Sequence, residues 1–200
     1  MKNIKRILAL LAFSLFAAPV QAQELSLAQI SAYLNQLTTA TGGFTQINGD
    51  GTISTGTIYI KRPGRVRFDY APPEQSLVIA GGGSVAIFDG RSNAGPQRYP
   101  LSQTPLSIIL ARNVDLTRAR MVTGHVSDGT STTVTAQDPD HPEYGSIQMV
   151  YTANPIELRQ WIVTDEVGGQ TVVILNDLET GMTIRDVLFN ISAAERAWGG

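Results

Sequence analysis

Turn signals recur along the chain from residue 57 to residue 178, and what lies between them is short, β-rich and alternating. A period of two puts successive side chains on opposite faces of a strand. Over 57–62, Ile58, Ile60 and Arg62 share one face, and Thr57, Tyr59 and Lys61 share the other. Pro63-Gly64 reads as a turn. Val66, Phe68 and Tyr70 then alternate with Arg65, Arg67 and Asp69 until Ala71-Pro72-Pro73 stops the run. Further strands are expected near 76–80, 84–88, 97–101, 118–126, 131–137, 146–152, 156–164 and 170–178. The turns between them fall at Gly81-Gly82-Gly83, Asp89-Gly90, Asp128-Gly129, Asp138–Gly145 and Gly168-Gly169. Many short strands with such turns predict a mainly β (α+β) fold, one large antiparallel sheet curled toward a barrel.

Helical signals flank and interrupt this sheet. Ser26-Leu27-Ala28-Gln29 is a capping-box pattern, in which the Ser oxygen and the Gln side chain satisfy each other's backbone donors. Leu27, Ile30, Leu34 and Leu37 follow on one helical face with Tyr33 beside them, and Gly42-Gly43 is expected to end the helix. Thr104-Pro105 predicts a second, short helix with Thr as N-cap, whose apolar side is Leu106, Ile109 and Leu110. Another helical turn is expected near Met182–Val187. These apolar faces need a surface to cover, and the inside of the curled sheet supplies one. A sheet of this size encloses more space than side chains alone fill, so an apolar cavity under a helical lid and a solid core under the same helices both fit.

Residues 1–22 have the three zones of a secretory signal peptide. Lys2, Lys5 and Arg6 come first, then an apolar run from Ile7 to about Ala18, then Pro19 and the small-residue site Val20-Gln21-Ala22. The run is too short to span a bilayer, which needs roughly 20 residues. Cleavage after Ala22 takes 22 of the 200 residues and leaves 178, the length of one ordinary domain over 23–200. It also removes three cations and no acid, so the net charge moves from −2 to −5. A mildly acidic chain without basic clusters argues against nucleic acid and anionic membrane surfaces as partners. The chain has no cysteine, hence no residue for lipidation at the cleavage site and no disulfide. A soluble periplasmic protein is expected.

Signals for catalysis are sparse. Thiol chemistry is absent with cysteine, and no nucleophile elbow, phosphate loop or zinc-protease motif occurs. There are two histidines. His125 falls in an expected strand, and His141 in the loop Asp138-Pro139-Asp140-His141-Pro142-Glu143, whose polar, proline-rich make-up suits a solvated turn better than a metal site. No enzyme activity, cofactor or metal is expected. Arg62 is the unusual residue. With the parity of Ile58 and Ile60 it either points inward, where its donors need acceptors such as carbonyls at the end of a lid helix, or ends its strand and reaches water beside Pro63-Gly64.

The run Lys61-Arg62-Pro63-Gly64-Arg65-Val66-Arg67-Phe68-Asp69-Tyr70 resembles the outer-membrane lipoprotein carrier proteins of the LolA family. Other pieces agree in order: Phe44-Thr45-Gln46 after the first helix, Gly56-Thr57-Ile58 before the run, and Pro73-Glu74-Gln75 leading into an apolar strand. Gly83 to Asp89, Gln97-Arg98-Tyr99, Pro105 and Leu110-Ala111-Arg112-Asn113 follow in the family's sequence. The resemblance covers about 25–113; beyond that it rests on strand order. It implies an unclosed β-barrel whose helical lid covers an apolar cavity for acyl chains. It implies acylated lipoproteins as cargo, received from an inner-membrane ABC-type releasing complex and handed to an outer-membrane acceptor protein or membrane. Arg62 takes the family's latch role, closing the empty cavity through lid-helix carbonyls, and Val66 falls where acyl chains bind. The expected lining is Leu34, Ile58, Ile60, Val66, Phe68, Tyr70, Ile79, Ile87, Leu106, Ile109 and Leu110. Two departures stand out. The strand at 84–88 lacks the family's frequent tryptophan, and little chain follows Phe189-Asn190-Ile191.

Four functions compete on this footing. The first is a monomeric periplasmic shuttle, a transport chaperone. The second is a same-fold sensor of mislocalised lipoproteins, which would need a second domain. An anchored acceptor would need the missing cysteine. A hydrolase using His125 or His141 would need a polar pocket, where the parity pattern predicts an apolar one.

Overall fold

The computed structural model describes residues 24–92, 94–118 and 120–198, so the expected signal peptide and its cleavage after Ala22 lie outside the described residues. The chain opens with helix α1 (Leu27–Gln36) and continues through strands β1 (Thr39–Ile47), β2 (Ile53–Lys61), β3 (Val66–Tyr70), β4 (Leu77–Gly81), β5 (Ser84–Phe88) and β6 (Gln97–Pro100). The short helix α2 (Leu106–Leu110) follows, then β7 (Val122–Ser127), β8 (Ser131–Gln137), β9 (Ser146–Thr152), β10 (Glu157–Thr164) and β11 (Gln170–Thr180). A 3-10 turn (Asp186–Phe189) and helix α3 (Ile191–Trp198) complete it.

The strands form one eleven-stranded antiparallel sheet in the order β6-β5-β4-β3-β2-β1-β11-β10-β9-β8-β7. Each neighbouring pair is consecutive in sequence except β1 with β11, which stitches two meanders together. The sheet is not closed: β6 and β7 are its free edges. It is strongly curled. Phe68 on β3 and Trp161 on β10 lie four positions apart in the strand order, about 19 Å on a flat sheet at ~4.8 Å per strand. Their ring centroids are 6.2 Å apart. The face they share is therefore concave.

Two clusters of apolar side chains pack on the two faces. The larger fills the concave side, where Ile30 and Leu34 of α1 and Ile109 of α2 meet Phe44, Ile58, Ile60, Val134 and Met149 of the sheet. The smaller lies on the outer face, where Leu77, Ile79, Ala86 and Phe88 are covered by Ile184, Phe189 and Ile191. Lys61 and Arg65 hold this outer strap through Asp186, at 2.6 and 2.7 Å, and Trp198 rests on Phe88 with ring centroids 5.2 Å apart.

The capping box is present: Ser26 N–H donates to Gln29 Oε1 at 2.9 Å, and Gln29 N–H to Ser26 Oγ at 3.3 Å. Gly42-Gly43, however, does not end α1. The helix stops at Gln36, and the glycine pair lies inside β1 at a register shift against β11. A β-carbon on Gly42 would sit 2.6 Å from the Asn176 carbonyl oxygen, so the residue is needed for close backbone approach at a bulge. Thr104 does not cap α2 either; its hydroxyl donates back to Leu101 O at 2.9 Å, and Pro105 holds the cap position. The strand expected at 57–62 begins earlier and ends at Lys61, and that expected at 118–126 starts at Val122. Of the helical turn expected near Met182–Val187, only the end is helical: residues 182–185 have no regular structure, the 3-10 turn begins at Asp186, and the full helix comes later, as α3.

Candidate functional site

Alternation within β3 decides one wall of the site. Val66, Phe68 and Tyr70 face the concave side, and Arg67 and Asp69 pair outside at 2.7 Å. On β4 the inward positions are Val78 and Ala80, and on β5 Val85. The opposite wall comes from β10 and β11, through Trp161, Val163 and Val173. Between the walls lies a cavity of about 530 Å³, with Pro105 and Leu106 at the start of α2 over it. That volume is in the range of ligand pockets generally, and the lining is dominated by aliphatic and aromatic groups. A second hollow of about 580 Å³ lies on the other side of α2, with mixed charge from Asp115, Arg118, Arg120, Asp138 and Asp140. Thr104, Pro105 and Tyr144 border both, so α2 acts as a partition.

Polar groups near the apolar wall are satisfied internally. Tyr70 donates its hydroxyl proton to Gln46 Oε1 at 2.7 Å, and burial pushes its pKa up to about 12. Tyr151 is fully buried, donates to Met149 Sδ at 3.3 Å, and is driven by burial far above the ordinary phenol value. Tyr33 stands edge-on to it, 6.0 Å between centroids, and its oxygen accepts Leu158 N–H at 3.0 Å.

Arg62 settles its ambiguity by lying inside, only 9% exposed. Its Nη2 donates to the carbonyl of Ala111, the residue that caps the end of α2. Two residues on, Gly64 N–H donates to Leu110 O at 2.8 Å. Gly64 has φ +72, a left-handed conformation that glycine adopts without penalty. The turn after β2 therefore fastens the two last carbonyls of the short lid helix. Arg62 N–H is anchored to Thr38 O at 2.8 Å, which ties the turn to the junction of α1 and β1. The guanidinium Nε is buried with no partner, and desolvation lowers the group's pKa from its ordinary value without neutralising it.

Among the expected lining residues, Phe68, Tyr70, Ile87 and Leu106 border the cavity. Leu34, Ile58, Ile60, Val66, Ile109 and Leu110 are packed in the concave core beside it. Ile79 is not with them: it faces outward, fully buried under the strap, because β4 presents Val78 and Ala80 inward. Sequence reasoning missed Val78 and Val85, which share the parity of Phe68 through strand pairing, and it missed Trp161 and Val173 on the far meander. Neither histidine lines the cavity, although His141 touches its rim. His125 Nε2 contacts Leu25 O at 2.8 Å, and His141 stacks on Tyr144 and pairs with Glu143 at 2.9 Å. Among the described residues no group of three or more His, Asp or Glu is placed to hold a metal.

A curled, open sheet walls an apolar cavity, and a short helix held by an arginine-bearing turn lies over it. Residues 35–192 match the model of the outer membrane lipoprotein carrier protein LolA, and the chain belongs to that family. It is 24% identical over 188 residues to an outer-membrane lipoprotein carrier protein of Methylococcus capsulatus, covering 86% of each chain. To one of Azotobacter vinelandii it is 30% identical over 89 residues, 42% of this chain and 43% of that relative. The crystal structure of a LolA superfamily protein from Nitrosomonas europaea is similar at 10% identity with a TM-score of 0.46, covering 83% of this chain and 98% of that one.

Proposed function

We propose that this chain is a periplasmic carrier that shelters the acyl chains of lipoproteins between the inner and outer membranes. Export rests on the signal-like residues 1–22, with cleavage after Ala22. The observation that carries the reading is the fastening of α2 across an apolar cavity by Arg62 and Gly64. Acyl chains entering the cavity must displace α2, because Leu106 lines it and Ile109 and Leu110 plug the core beside it. Burial of each CH₂ contributes about 0.8 kcal/mol. Breaking the charge-assisted Arg62 bond costs about 1.5–3 kcal/mol, and the backbone bond of Gly64 about 1 kcal/mol. Together these are about 2.5–4 kcal/mol, far weaker than the burial of three long chains, yet large enough to speed release by about two to three orders of magnitude, at about 1.4 kcal/mol per tenfold. The carrier works as a monomer, is loaded by an ABC-type releasing complex, and delivers to an outer-membrane acceptor or to the membrane itself. It performs no chemistry on its cargo.

Purification from the periplasm followed by native mass spectrometry tests this. A co-purifying triacylated lipoprotein at one to one is the expected result. A bare protein that also fails to bind added triacylated-cysteine peptide would overturn the carrier reading.

A further inference from the structure

We infer that the mouth of the cavity selects cargo by charge, favouring lipoproteins whose first residues after the acylated end are basic and disfavouring acidic ones. The inference rests on the carrier reading and names the chemistry of the cargo's polypeptide. Three carboxylates border the cavity, Glu143, Asp165 and Glu166, and no lysine or arginine does. All three are exposed. They come from two loops that touch: a β-carbon on Gly145 would lie 2.1 Å from the Thr164 carbonyl oxygen. Asp165 accepts Val167 N–H and Gly169 N–H at 3.0 and 2.7 Å, which fixes its charge at the hairpin tip. Glu143 is partly answered by His141, and among the described residues Glu166 forms no ion pair.

The same mouth carries an unusual share of exposed apolar groups. Of six exposed large hydrophobic side chains among the described residues, Ile87, Tyr99 and Val167 stand here, Val167 at 85% exposure. A cargo whose acyl chains fill the cavity has to leave through this opening. Its first residues are therefore held against the rim by covalent attachment to the buried chains. At ~3.3 Å per extended residue, the first two or three lie within one Debye length, about 8 Å at physiological ionic strength. Side chains with an apolar stem and a cationic end suit both features, since the stem lies on Tyr99 and Val167 while the charge meets the carboxylates.

The test uses two fluorescent triacylated-cysteine peptides, one continuing with four lysines and one with four glutamates, titrated into the full chain. The expected result is roughly tenfold tighter binding of the lysine peptide at low salt, falling toward parity near 0.5 M salt as screening shortens to a few ångströms. The double variant E143Q/E166Q should lower that ratio at least threefold. The double variant D177N/E179Q removes two charges near the far end of β11, about 25–30 Å along the strand from Gln170, and should leave the ratio in place. Equal affinities for the two peptides, or an equal fall in both variants, would overturn the inference while leaving the carrier intact. Failure of both peptides to bind would bring down the carrier reading and this selectivity with it.

Discussion

Replacing Arg62 with leucine separates the latch from the fold. The change removes the guanidinium bond to Ala111 O, which holds α2 down. A hydrogen bond from a charged group contributes about 1.5–3 kcal/mol. The substitution also removes a buried Nε that has no partner, an atom whose desolvation costs about 1–3 kcal/mol. The Ala111 carbonyl left behind is half-buried, so water can reach it. These terms oppose each other in global stability, and R62L should unfold within about 2 kcal/mol of the parent. They do not cancel locally, because only the first acts on α2. Amide exchange of residues 106–111 should accelerate by about ten- to a hundredfold, the factor for 1.5–3 kcal/mol at 1.4 kcal/mol per decade. Release of a bound triacylated peptide should slow by a similar factor, since the closed empty state no longer repays departure of the cargo. Hydrogen exchange by mass spectrometry and stopped-flow release measure the two quantities. Loss of more than about 4 kcal/mol of global stability with unchanged exchange in α2 would refute the reasoning and make Arg62 a structural residue.

Other substitutions probe the rest of the arrangement. Val66 is 2% exposed in the concave core, so V66E should destabilise the fold by about 3 kcal/mol or more in denaturant titration, whereas V78E, on the half-buried cavity wall, should retain the fold and lose acylated-peptide affinity. If V66E folds normally and only binding suffers, Val66 lines the cargo site after all. A β-carbon at Gly81 would meet the Phe189 carbonyl oxygen at 2.2 Å, so G81A should lift the outer strap, expose Phe88 and raise binding of a hydrophobic dye; unchanged dye binding would mean the strap shifts to accommodate it. Lys61, foremost through its hydrogen bond, holds the Asp186 carboxyl below its usual range. A depressed folded pKa gives stability that is present above the unfolded value near 4 and lost as pH falls through the folded one. The strap should therefore loosen below about pH 4, and in D186N a Trp198 fluorescence change should already be present at neutral pH.

How much of this could be read beforehand depended on whether a signal was local. Alternation in 66–70, 84–88, 131–137 and 146–152 marks strands that the structure contains with little or no shift. Arg62 stood out because its parity placed a charge among Ile58 and Ile60, and it is inside. β1 was hidden, because Gly42-Gly43 resembles a helix stop when its real purpose is contact with Asn176, a residue 134 positions later. The misplacement of Ile79 has the same origin: hydrophobicity alone does not say which face of a strand is inside when both faces are covered. Trp161, Val163 and Val173 reach the cavity only because the far meander curls over, a consequence of eleven strands together. α3 escaped notice because it covers a second, outer cluster that a picture with one concave core does not require.

The single seam between β1 and β11 has a kinetic meaning. Ala40 pairs with Thr180, and Ile47 with Val172, so the two meanders remain separate until nearly the whole chain is available. Each can zip locally as its hairpins emerge, but the seam requires closing a loop of more than a hundred residues, a slow and non-local step. Until it closes, β1 presents an unpaired edge beside the apolar inner faces of both halves. A chain emerging from its N-terminus would pass through this interval with its apolar interior on view. The period of greatest vulnerability to aggregation, and of greatest need for a holdase, thus falls between emergence of β6 and arrival of β11.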